Sequence, residues 1–154
     1  MKYIFIRALI LSLLLVSCGF QVANYENNYN IISIDTLGDN KINFILKNKI
    51  LNSSKKDNQN LLEISINTKK LKSIKEKNIN NQITKYEIQI IAEIKSKLIN
   101  KDRGYNFTVI KRGDYNVSKK YSDTLNNEKN LIKVLIIDLS EEIIENLAIN
   151  INDL

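Results

Sequence analysis

The chain has no histidine, no proline and no tryptophan, and it has one cysteine and four glycines in 154 residues. Without histidine, Ser-His-Asp and Cys-His catalysis are excluded, and so are zinc sites of the usual His/Cys type. The lone cysteine, Cys18, has no second thiol to join it in an internal disulfide. Glycine-rich phosphate loops are absent. Carboxylates, lysines, tyrosines and hydroxyls remain, and the acidic residues Asp138, Glu141, Glu142 and Glu145 are spread along one C-terminal segment. Adjacent glutamates on a helix diverge, so these read as solvated side chains and not as a site. The expectation is a protein that binds and is not an enzyme, with no cofactor and no metal.

Asparagine, isoleucine and lysine dominate what is present, and the formal net charge is +6. A basic balance points to nucleic acid or to an acidic surface only where the charge is clustered. The N-terminus decides against nucleic acid. Lys2 and Arg7 flank a short apolar group, and Ala8 to Val16 is apolar apart from Ser12. This charged start and short apolar stretch have the form of a secretory signal peptide, and the run falls short of the about 20 residues a membrane helix needs. Leu15-Val16-Ser17-Cys18 completes a bacterial lipobox, in which the Cys18 thiol takes a diacylglyceryl group and cleavage follows Ser17. Removing residues 1–17 leaves 137 residues and a net charge of +4, because Lys2 and Arg7 leave with the leader. Several acyl chains, each contributing about 0.8 kcal/mol per buried methylene, hold such a protein firmly on a membrane. Residue 19 is glycine and not aspartate, which permits sorting to the outer membrane of a Gram-negative cell.

Behind Cys18, residues 18–29 read as a polar tether, and residues 30–154 as one domain. The β-branched run Ile31-Ile32-Ser33-Ile34 predicts a first strand. Gly38-Asp39-Asn40 supplies a turn and a helix cap, and apolar residues at helical spacing predict a helix over 40–52. Leu62, Ile64 and Ile66 alternate with polar residues, as a half-buried strand requires. The strand runs into Lys69–Lys77, where five lysines face one glutamate. That stretch reads either as a solvated edge strand guarded by lysine or as an anion-contacting patch. Residues 86–98 alternate over their whole length and predict a long strand. Residues 100–104 form a hairpin connection, and Tyr105, Phe107 and Val109 point inward from a fourth strand, with a bend or bulge at Gly113-Asp114. Leucine or isoleucine at 131, 135, 139, 143, 147 and 151 predicts a helix over 124–151, capped by Ser122, Asp123 or Thr124 and roughly 40 Å long. The order strand, helix, three-strand meander, helix describes an α+β two-layer sandwich, with a four-stranded mixed sheet and two helices on one face.

Cys18-Gly19-Phe20-Gln21 after a lipoprotein leader, with the tether, this element order and a last helix ending Asn146-Leu147-Ala148-x-Asn150-Ile151, resembles the LPS-assembly lipoprotein family, LptE. The chain departs from the family where Gln21-Val22-Ala23 follows the phenylalanine, since relatives often carry proline or a basic residue there. The resemblance implies a non-enzymatic outer-membrane protein that plugs and helps to fold the large β-barrel LptD. It also implies contact with lipopolysaccharide through basic residues near one end of the sheet. Phosphates need cationic partners, which makes Lys69, Lys70, Lys72, Lys75, Lys111 and Arg112 the candidates, beside Cys18 for the lipid. The other reading is a free-standing periplasm-facing lipoprotein that binds a small ligand or another envelope protein.

Overall fold

A computed structural model describes residues 27–101 and 103–152. The leader, the lipobox with Cys18 and most of the tether lie outside the described residues. Strands β1 (Asn30–Gly38), β2 (Leu61–Lys77), β3 (Ile83–Leu98) and β4 (Arg103–Asn116) form one sheet in the order β1-β2-β3-β4. Helix α1 (Asn40–Asn52) joins β1 to β2, and α2 (Tyr121–Asn152) ends the fold. β1 is parallel to β2 and the other pairs are antiparallel, so the sheet is mixed. The two helices pack on one face, giving the expected α+β sandwich.

Alternation builds the core. Leu62, Ile64 and Ile66 of β2, Ile88, Ile90, Ala92, Ile94 and Leu98 of β3, and Val109 of β4 are buried against Ile42, Leu46 and Ile50 of α1 and Leu135, Leu139, Ile143 and Leu147 of α2. Burying each such side chain stabilises by about 1.5–3 kcal/mol, and together these contacts outweigh any polar contact in the fold.

The turn after β1 is held by polar atoms that the apolar pattern does not show. Asp39 caps α1, its Oδ1 accepting from the Lys41 and Ile42 amides at 3.1 Å each. The buried Thr68 hydroxyl donates to Asn43 Oδ1 at 2.8 Å, and Asn43 Nδ2 donates to the Leu37 carbonyl at 3.1 Å. Gly38 has φ +102°, and a Cβ there would meet the Thr68 carbonyl oxygen at 1.9 Å. Only glycine turns the chain off the sheet at that point.

Three local expectations change. Tyr29, assigned to the tether by its polar neighbours, is fully buried, and its hydroxyl lies 2.9 Å from Ser53 Oγ. Burial pushes its phenol upward, offset in part by the Ser53 bond. Gly113 sits in regular register opposite Ile88 without a bulge. Its role is clearance, because a Cβ would come within 2.6 Å of Leu131 Cδ1 on the helix above. α2 begins three residues before the expected start, at Tyr121. Thr124 therefore sits inside the helix, where its hydroxyl accepts from the Ser118 amide at 2.9 Å and fastens the preceding loop. Beyond Gly113 the strand β4 continues to Asn116, and the loop to α2 starts at Val117.

Candidate functional site

Strand register separates the six candidate cations. Lys70 stands opposite Ile90, which stands opposite Lys111, and Lys72 stands opposite Ile88. Ile88 and Ile90 are buried under the helices, so these three lysines emerge on the helix-bearing face. Lys69 shares a row with Ile91 and Ile110, and Arg112 shares one with Gln89 and Leu71. Those rows belong to the opposite face.

The three helix-side lysines are each met by a carboxylate. Lys70 Nζ lies 3.6 Å from Asp39, Lys72 Nζ 2.6 Å from Glu128, and Lys111 Nζ 2.5 Å from Glu142. Lys75, the residue skipped in the irregular pairing between Ile74 and Glu76, reaches Asp114 at 2.8 Å. Asp114 also takes Lys85 at 3.6 Å, and Lys85 pairs with Glu76 at 2.8 Å. Lys75 is the main reason that the Asp114 carboxyl sits below its ordinary range, and Glu76 the main reason that Lys85 is raised. Lys69 and Arg112 have no carboxylate partner among the described residues.

Lys72 belongs to a tighter group. Its ammonium stands 4.4 Å from the centroid of Tyr86 and 5.3 Å from that of Tyr115, a cation–π arrangement on two rings. The rings themselves stack at 5.7 Å. Tyr115 donates its hydroxyl proton to Glu128 Oε2 at 2.6 Å, the same oxygen that takes Lys72. Burial works against the charge on Glu128, but the bonds from Lys72 and Tyr115 outweigh it and leave the carboxyl below its ordinary value. Burial and then Glu128 raise the Tyr115 phenol, while Glu128 and Tyr115 raise Lys72 against its own burial. This arrangement fixes the N-terminal half of α2 to the sheet.

No described element covers the opposite sheet face. At its middle, Leu71, Ile91 and Ile110 form a small apolar group between Lys69 and Arg112. Leu71 is 40% exposed and Ile110 44%. Towards the β1 end lies an open polar depression lined by Ser33, Asp35, Ser65, Lys95, Lys97 and Asn106. This face combines the cations Lys69 and Arg112 with apolar side chains and hydrogen-bonding groups, and it is the candidate binding surface. The sequence names Lys69 and Arg112 as cations and sets Ile91 among the outward residues of β3, whereas Leu71 and Ile110 join them only through the strand register.

Glu142, expected to be solvated, pairs with Lys111. Among the described residues no cluster of histidine, cysteine or acidic side chains could hold a metal ion, and no helix is long and apolar enough to cross a membrane.

No protein-family model matches the chain, and no curated protein matches its sequence. Solved structures do match its shape. The rare lipoprotein B of Shewanella oneidensis superposes with a TM-score of 0.62 at 14% identity, over 79% of this chain and 97% of that one. A putative lipoprotein of Caulobacter crescentus gives 0.58 at 6% identity, over 84% and 93%. A minor lipoprotein of Acinetobacter baumannii gives 0.58 at 11% identity, over 80% and 92%. At these identities the likeness is one of fold, and it extends over nearly the whole length of each solved chain.

Proposed function

We propose that this chain is an outer-membrane lipoprotein of lipopolysaccharide assembly, anchored through lipid on Cys18. In this reading it acts as the plug and folding partner of an LptD-type β-barrel. The observation that carries the reading is the fold shared with rare lipoprotein B, which is another name for LptE. That likeness is independent of the Cys18-Gly19-Phe20 resemblance and points the same way. The physical form suits the task. The lumen of a large membrane barrel is polar, and a plug needs a hydrophilic surface held rigid by a separate core. Here the helices and one sheet face supply the core, and the other sheet face stays open and mostly polar. Such a protein acts by binding and not by catalysis. Lipopolysaccharide would meet Lys69 and Arg112 through its phosphates, and Leu71, Ile91 and Ile110 through its acyl portion.

Purification of the tagged chain in mild detergent from the bacterium that encodes it tests the reading. Recovery of a large outer-membrane barrel in about equal amount, with palmitate label on the chain that is lost in Cys18→Ala, is the expected result. A lipidated chain that comes through without any barrel overturns the plug and leaves a free-standing lipoprotein.

A further inference from the structure

β1 pairs with β2 only as far as Gly38 opposite Thr68, whereas β2 continues to Lys77. Gly38 turns the chain away and Asp39 starts α1, so β2 from Lys69 onward has a strand neighbour on one side only among the described residues. Pairing with β3 is regular up to Ile74, and the irregularity comes at Ile74/Glu76. The open edge is therefore straight and well formed where β1 leaves it. Alternate residues there direct N–H and C=O groups outward, a template for another strand.

The side chains along this edge select its partner. On the helix side stand Lys70 and Lys72, whose carboxylate pairs leave their side chains 38% and 41% exposed. On the other side stands Leu71, 40% exposed and next to the Ile91–Ile110 row. A second copy of this chain would set lysine against lysine, and like charges opposite one another are destabilising. The segment before β1 enters the sheet at the far end, where Asn30 meets Leu61. We infer that the β2 edge from Lys69 to Lys77 receives an extended segment of a partner protein in which carboxylates alternate with apolar residues. The carboxylates face the exposed sides of Lys70 and Lys72, and the apolar side chains extend the Leu71–Ile91–Ile110 group. The two ammonium groups have three donors each, so they keep Asp39 and Glu128 while taking a second partner. This recognition is β-strand addition, in which main-chain bonds give affinity and alternate side chains give selectivity. It does not depend on the barrel reading.

The test uses the full, isotope-labelled chain in detergent micelles and a short synthetic peptide of alternating glutamate and valine. Binding should shift the backbone amides of Lys69–Lys77 and protect those that point away from β3, and Lys70→Gln should weaken it about fivefold with the fold unchanged by circular dichroism. Replacing the peptide's glutamates by lysine, or methylating alternate backbone nitrogens, should abolish binding. Equal binding by either control peptide overturns the proposal, as do shifts confined to α2 or to the β1 end of the open face. Amides of Lys69–Lys77 that point away from β3 and are already protected without peptide also overturn it, because the chain's own N-terminal segment or a second copy would then occupy the edge.

Discussion

Glu128 Oε2 accepts from both the Lys72 ammonium and the Tyr115 hydroxyl, so one carboxylate oxygen ties α2 to β2 and β4. Its folded carboxyl lies below the ordinary value of 4.5. A depressed carboxylate adds stability above its unfolded pKa and loses it as pH falls through the folded one. Glu128→Gln should therefore cost about 1 kcal/mol near neutral pH, a charge-assisted bond discounted for the solvent exposure of Lys72. Urea midpoints of the two proteins should draw together below about pH 4. A gap at about pH 3 equal to that at neutral pH would refute this role for the carboxylate. At the alkaline end, Tyr115 and Lys72 are both raised, so their contribution fades as pH climbs beyond their ordinary values of 10.0 and 10.5. The sequence names Lys72 as a cation but hides its partner, because 56 residues separate it from Glu128. Composition cannot tell a lysine held by a carboxylate from one left free to bind, and only the register of three strands separates Lys72 from Lys69. Gly113 was hidden for a related reason. A turn and a close approach both ask for glycine, and the approaching group is Leu131 on an element still to come.

At the scale of elements, periodicity carried most of the information. α1 occupies the residues that its Asp39 cap and apolar spacing require, and β3 buries its alternate residues from Ile88 to Leu98. The start of α2 was less legible, since Ser122, Asp123 and Thr124 are all good caps and the true start precedes them. At 32 residues, α2 runs about 48 Å and spans the sheet, with Leu139 fully buried. Leu139→Ala should cost about 2–5 kcal/mol, because the helix is braced at both ends and cannot close the cavity. Leu139→Asp should prevent folding by burying an unpaired charge. Val134 on the same helix is 52% exposed, and Val134→Ala should stay within about 0.5 kcal/mol of wild type. Denaturant midpoints measure all of these. Similar losses at 134 and 139 would mean that α2 packs through a different face.

Across the whole molecule, the two faces of one sheet divide the labour. The helix-side cations Lys70, Lys72 and Lys111 are engaged in ion pairs that hold the layers together, while Lys69 and Arg112 point away from the core with no carboxylate partner among the described residues. The lysine-rich stretch takes the edge position that the sequence allowed. β1 stops at Gly38 and leaves it uncovered on one side, and the register sets Lys69 on the open sheet face. If lipopolysaccharide binds, its phosphates should use cations that are free of internal partners, since displacing Glu128 or Glu142 would unlock α2. The double change Lys69→Glu with Arg112→Glu should therefore weaken binding of purified lipopolysaccharide by about tenfold or more with little change in stability, as two surface contacts at about 1 kcal/mol each require. Lys111→Met should instead leave binding within about twofold while lowering the denaturant midpoint. The opposite pattern, binding lost in Lys111→Met and kept in the double variant, would move the ligand to the helix-bearing face and leave the open sheet face for the protein partner.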